Sequence, residues 1–213
     1  MKNATWYGQG SLRFVTDGKI IYIDPLWIVE DMHDADVILI THSHFDHLSE
    51  DDISKVINEN TVMVAPPDCV QQLKTAFSNK IVAVNPGEKH IINGVHIQAV
   101  WAYNIVKTQY HPRENNWLGY IVTTQYGKYY YTGDTEKIPE MNKLDVDVIF
   151  LPLGQTYTMD SVQQAADVAK VTNAKIVVPV HFGSYEGKAG DVHTLKMLLD
   201  GDDIEVAELP RTK

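Results

Sequence analysis

Three imidazoles and one carboxylate fall within six residues in His42-Ser43-His44-Phe45-Asp46-His47. Imidazole nitrogen suits Zn, Fe, Mn or Ni, and the carboxylate adds a harder oxygen donor. A tight turn can aim the alternate side chains His42 and His44 at one ion and swing Asp46 and His47 toward a second. The competing reading is a solvated His-rich loop whose rings are satisfied by backbone carbonyls, and sequence context weighs against it. Asp134 follows a glycine in Tyr131-Thr132-Gly133-Asp134-Thr135, and His181 ends the run Val178-Pro179-Val180. Gly133 lets the backbone approach closely before the carboxylate, whose two oxygens suit a bridge between cations. Either residue alone reads as a turn or structural group. Together with the first motif, both read as ligands.

Such donors need elements that end at a common place. Val37-Ile38-Leu39-Ile40 is an unbroken apolar run, the mark of a strand covered on both faces, and it delivers Thr41 and His42 at its end. Hairpins are predicted at Asp17-Gly18, at Asn93-Gly94 and at Gln125-Tyr126-Gly127-Lys128. One helix is predicted from Ser49 to Ile57, with Ser49 as its cap. A second has Asp160 and Gln163 as its capping box and presents Val162, Ala165, Ala166 and Ala169 on one face. Further buried strands are expected at Val62-Met63-Val64, Ile81-Val82-Ala83-Val84, Val148-Ile149-Phe150-Leu151 and Ile176-Val177-Val178-Pro179-Val180. The expectation is one α/β domain over residues 1–213, two strand-rich halves packed together under helices, with loops meeting at one edge.

The run His42-Ser43-His44-Phe45-Asp46-His47, followed by Gly133-Asp134-Thr135 and His181, resembles the metallo-β-lactamase superfamily. Within it the chain is similar to the compact metal-dependent hydrolases, with likeness to ascorbate-phosphate lactonases and to N-acyl-phosphatidylethanolamine phospholipase D. Supporting segments are Trp6-Tyr7-Gly8-Gln9-Gly10-Ser11, Ile23-Asp24-Pro25, Pro152-Leu153-Gly154-Gln155-Thr156-Tyr157-Thr158-Met159 and Pro179-Val180-His181-Phe182-Gly183. The resemblance implies an αββα sandwich with a two-metal site at one edge: His42 and His44 on the first metal, Asp46, His47 and His181 on the second, Asp134 bridging. It also implies that Asp24 orients a ligand by a hydrogen bond, though on sequence alone a turn residue before Pro25 is an equal reading. The chain departs from the family pattern twice. Gln9 stands where relatives often carry His, and Ala102-Tyr103-Asn104 stands where they place the first metal's third ligand. His111 is the nearest imidazole able to replace it, and is preferred to Asn104 as the better donor.

Two divalent ions sharing a water would bring its pKa toward neutrality and yield a hydroxide nucleophile without any Ser or Cys. Zinc is the first expectation for the metal, with Mn, Fe or Ni as alternatives. The expected reaction is hydrolysis of an ester, lactone or phosphodiester, with Asp46 and His181 moving protons. A β-lactam or amide hydrolase and a non-catalytic metal- or ligand-binding protein are the alternatives. A net charge of −10 opposes a nucleic-acid or anionic-membrane surface. A small-molecule substrate remains, an anionic one included, because metal supplies local positive charge. No apolar stretch approaches the roughly 20 residues of a membrane span, no secretory leader is legible, and the lone Cys69 forbids an internal disulfide. These features predict a cytoplasmic protein, monomeric or homo-oligomeric. His33, His90, His96 and His193 read as surface or structural, and Lys107 and Arg113 as solvated cations.

Overall fold

The computed structural model describes residues 3–212. Its first sheet orders β1 (Ala4–Gly8), β2 (Ser11–Thr16), β3 (Lys19–Ile23), β4 (Val37–Leu39), β5 (Val62–Ala65) and β6 (Lys80–Ala83) side by side in chain order. The second runs β13 (Glu205–Val206), β12 (Ile176–Val180), β11 (Val148–Pro152), β10 (Gly127–Tyr131), β9 (Leu118–Thr124), β8 (Val95–Trp101) and β7 (Lys89–Ile92). The expected hairpins join β2 to β3, β7 to β8 and β9 to β10, all antiparallel. The strands reached through longer crossovers, β4 to β6 and β11 to β13, add in parallel.

Side-chain alternation along the strands sets the layers. In β4, Val37 and Leu39 face the second sheet, while Ile38 turns outward. Val148 and Phe150 of β11 face the first sheet, and Ile149 and Leu151 turn outward. The outer face of the first sheet is covered by α1 (Glu50–Val56) and α2 (Pro67–Ala76), through Ile53, Val56, Cys69 and Leu73. On the other side α3 (Val162–Val171) and α4 (Asp191–Leu198) cover the second sheet. The result is the expected αββα sandwich. Ser49 caps α1 as predicted, accepting from the Asp52 amide. The α3 cap sits one residue beyond the expected Asp160: Ser161 takes the extended backbone and accepts from the Gln164 amide, and Gln164 Oε1 reaches back to the Asp160 amide.

Backbone bonds crossing between the sheets close the edge where the predicted donors lie. Leu118 N donates to Thr41 O at 3.0 Å, and His181 N to Gln9 O at 2.9 Å. Tyr120 Oη, deep in the seam, donates to Ile40 O at 2.7 Å. Leu39, fully buried two residues before Thr41, therefore couples core packing to the donor loop. Leu39→Ala should cost about 2–5 kcal/mol by urea denaturation. A loss below about 1 kcal/mol would show that the seam collapses around the deletion.

Candidate metal centre

All seven predicted donors converge. Three overlapping groups have ligand atoms within 4.8 Å of one another: His42, His44 and His111; His42, His47 and Asp134; Asp46, His47 and His181. The donors leave separate strand ends: residues 42–47 follow β4, His111 lies in the loop after β8, Asp134 follows β10 and His181 follows β12. Asp134 Oδ2 lies between the outer groups, 3.3 Å from His47 Nε2, 3.4 Å from His111 Nε2 and 3.2 Å from His181 Nε2.

Partners behind the rings fix which nitrogen faces the cluster. Asp24, buried and accepting from Thr41 N at 2.8 Å and Thr41 Oγ1 at 2.6 Å, stands 2.7 Å from His47 Nδ1. Since the Thr41 hydroxyl proton goes to Asp24, Thr41 Oγ1 accepts from His42 Nδ1 at 2.9 Å. His111 Nδ1 faces the Tyr157 carbonyl at 3.2 Å. His42, His47 and His111 are thereby held with Nε2 turned inward. Asn104 does not join them through its amide nitrogen: Nδ2 donates to Lys107 O and Tyr157 O, behind the His111 ring.

The donor set fits divalent ions. His42 Nε2 and His44 Nδ1 are 3.0 Å apart, and His47 Nε2 and His181 Nε2 3.3 Å, close to the roughly 3.4 Å between two nitrogens on one tetrahedral ion. His111 Nε2 and Asp134 Oδ1 are buried with no hydrogen-bond partner among the described residues, an expensive arrangement unless a cation takes their lone pairs.

Two buried glutamates complete the frame, and neither was legible as a site residue. Glu186 accepts from Thr156 N, Tyr157 N and Thr158 Oγ1 at 2.7–2.8 Å and lies 2.9 Å from His181 Nδ1. Gly154 makes room for it, because a Cβ there would stand 1.8 Å from the Glu186 carboxyl carbon. Glu136 accepts from the amides of Ile105, Val106 and Lys107, fixing the loop that carries His111. Trp117 packs on His42 and His44 at 4.8 Å. Gln9 Nε2 donates to Asp46 Oδ2 at 3.3 Å. Lys107 is spent on Met159 O and Gln155 O, and Arg113 pairs with Glu140.

The metal-free cluster holds unusual charge states. Burial opposes a charge on His47, but Asp134 and Asp24 outweigh it and hold its pKa up at about 10. His181 is likewise raised against burial by Asp134 and Asp46. Burial, reinforced by neighbouring imidazoles, keeps His42 and His44 down. Asp46 is lowered to about 2, since His181 and His47 override its burial.

The fold and this edge-of-sandwich cluster together define the metallo-β-lactamase superfamily, to which the chain belongs: the family model for the beta-lactamase superfamily domain matches residues 3–181. More particularly, it is 30% identical over 224 residues to a UPF0173 metal-dependent hydrolase of Anoxybacillus flavithermus, covering 92% of this chain and 93% of the relative. A crystal structure from Parabacteroides distasonis, assigned to the metal-dependent hydrolases, matches with TM-score 0.83 and 34% identity over 99% of this chain and 93% of that one. Igni18, a metallo hydrolase of Ignicoccus hospitalis, shares the fold at TM-score 0.82 and 20% identity, covering 99% and 96%.

Two expectations follow. Raised pKa values on His47 and His181 contribute stability that is present below the ordinary His value of about 6.5 and lost as pH rises through their folded values. The lowered His42 and His44 work the other way, costing stability as pH falls below about 6.5. Metal-free protein should therefore melt highest near neutral pH and lower on both sides, and zinc added to it in weak buffer should acidify the solution. A flat melting profile with no proton release would contradict these charge states. Glu186→Gln should weaken metal affinity by about 10–100-fold in a chelator competition while circular dichroism stays unchanged. Unaltered affinity would show that His181 is oriented without it.

Proposed function

We propose that this chain is a two-metal hydrolase that cleaves an ester, lactone or phosphodiester bond. The observation that carries the reading is the convergence of seven buried or half-buried donors, in two outer triads with Asp134 between them, five of which (His44, Asp46, His111, Asp134 and His181) line an open cavity of about 360 Å³. Relatives at 30% and 34% identity in the metal-dependent hydrolase class support it. His42, His44 and His111 would hold one ion, Asp46, His47 and His181 the other, and Asp134 would bridge. Zinc suits this nitrogen-rich set best, with Mn, Fe or Ni accommodated by the same donors. When bound, the ions supply an acidified water and an electrophilic pull on a carbonyl or phosphoryl oxygen.

The chain's own residues position and move protons. Asp24 and Thr41 hold the His42 and His47 rings in one tautomer. Glu186 stands 2.9 Å behind His181 Nδ1. Asp46 lines the cavity and is anionic at neutral pH, so with His181 it is placed to take a proton from water and pass it to the leaving group. The single thiol, Cys69, is buried and its pKa is raised by burial, which suits a reducing cytoplasm and removes it as a nucleophile. Among the described residues, no helix is long and apolar enough to cross a membrane.

Elemental analysis should find about two divalent ions per chain, and exhaustive chelation should abolish hydrolysis. His111→Ala should lose one ion while Asn104→Ala retains both. Full activity without metal would overturn the reading. Metal loss in Asn104→Ala alone would reverse the assignment of the third ligand.

A further inference from the structure

The cavity wall has a composition that the general hydrolase reading leaves unused. Four aromatic rings line it in two edge-to-face pairs, Phe45 with Tyr185 at 5.8 Å and Tyr110 with Tyr157 at 4.9 Å. Phe45 is 71% exposed and Tyr185 50%, so the fold buries neither, although both could have been polar on a loop. Aromatic surface left open beside a cluster of ligand atoms is surface kept for a ligand.

Charge points the same way. No lysine or arginine among the described residues lines the cavity. Three cations of the surrounding loops are engaged elsewhere: Lys107 on backbone carbonyls, Arg113 with Glu140 and over Trp101, Arg211 over Trp27. Four carboxylates, Asp24, Asp46, Asp134 and Glu186, are buried in or against the donor cluster. Their formal charge balances that of two divalent ions, leaving no surplus to repay the desolvation of an anionic substrate.

We propose that the substrate is an uncharged carboxylic ester or lactone bearing an aromatic or flat apolar group. That group lies against the Phe45–Tyr185 and Tyr110–Tyr157 pairs, and the carbonyl reaches the donor cluster. The inference rests on the hydrolase reading and narrows it, setting phosphodiesters and carboxylate-bearing esters aside. A cavity near the lower end of the roughly 300–1,000 Å³ usual for ligand sites suits a small molecule of this kind.

The test uses matched pairs. Zinc-loaded protein is offered methyl 3-phenylpropionate, methyl butyrate, monomethyl succinate and bis-p-nitrophenyl phosphate. Independently of turnover, the ketones 4-phenyl-2-butanone and levulinate, which mimic the first and third, are titrated by saturation-transfer NMR. The phenylpropionate ester should exceed the succinate and the butyrate by roughly tenfold or more in kcat/KM, and only the phenyl ketone should bind. Tyr157→Ala should raise KM for the phenyl ester with a smaller change in kcat, and Tyr157→Phe should restore it. Preference for the succinate or the phosphodiester, or levulinate binding as well as the phenyl ketone, would overturn the proposal while leaving the hydrolase reading intact. So would failure of both ketones to bind. Binding of the phenyl ketone with no hydrolysis of any compound would uphold the pocket assignment and sink the hydrolase reading instead.

Discussion

Packing five imidazoles and four carboxylates into one dry edge is the constraint on which this structure turns. Without a cation the arrangement is costly in both directions: bare nitrogens face one another at 3.0–3.3 Å, and carboxylate oxygens lose water. Protonation of His47 and His181 relieves part of this in the metal-free protein, and divalent ions relieve it more fully because they satisfy several lone pairs at once. The surroundings are arranged so that no other relief is available. Asp24 and Thr41 hold the His47 and His42 rings from behind, Glu186 stands behind His181, and Trp117 packs against His42 and His44.

Holding donors in that arrangement requires backbone that the chain would otherwise avoid. Gln9, Asp24 and His181 all adopt left-handed φ, between 44° and 52°, where a non-glycine residue costs on the order of 1 kcal/mol. Each lies where two segments are forced close. Gln9 O accepts from both His181 N and Trp6 Nε1, and Gly10 has no space for a side chain, since a Cβ would stand 2.3 Å from Tyr131 Oη. Strain that collects at a ligand cluster is tolerated because the cross-sheet bonds and the core beneath over-determine the position.

The sequence made legible whatever was written locally. The unbroken apolar run Val37-Ile38-Leu39-Ile40 marked a strand covered on both faces, and Asn93-Gly94 marked a hairpin, because neighbouring residues carry the information. His42 to His47 was legible for the same reason. The α3 cap was misplaced by one residue because Asp160 and Ser161 are both competent caps and only the entry path of the chain selects between them. His111 was legible as a candidate through its chemistry, although its approach to His42 depends on a loop held by Glu136, far away in sequence. Glu186 was invisible: its partners are residues 156–158 and 181, and no spacing around Tyr185-Glu186-Gly187 announces them.

Glu136 and Glu186 divide the molecule into a part that must stay fixed and a part that is free to vary. Glu136 grips the amides of one loop, and Glu186 grips residues 156–158 while standing against His181, so the backbone there is held in place while the outward side chains do not contribute to the clamp. Tyr157 illustrates the division, since its amide is gripped by Glu186 while its ring stands 36% exposed at the cavity. Phe45 does the same within the ligand loop itself, between the buried Asp46 and the half-buried His44. The candidate donor cluster is thus fixed by backbone and carboxylate contacts, and the aromatic rings stand on the rim free of them. A substitution at the rim can change what is bound without disturbing what does the chemistry, which is the separation expected when one fold serves many substrates.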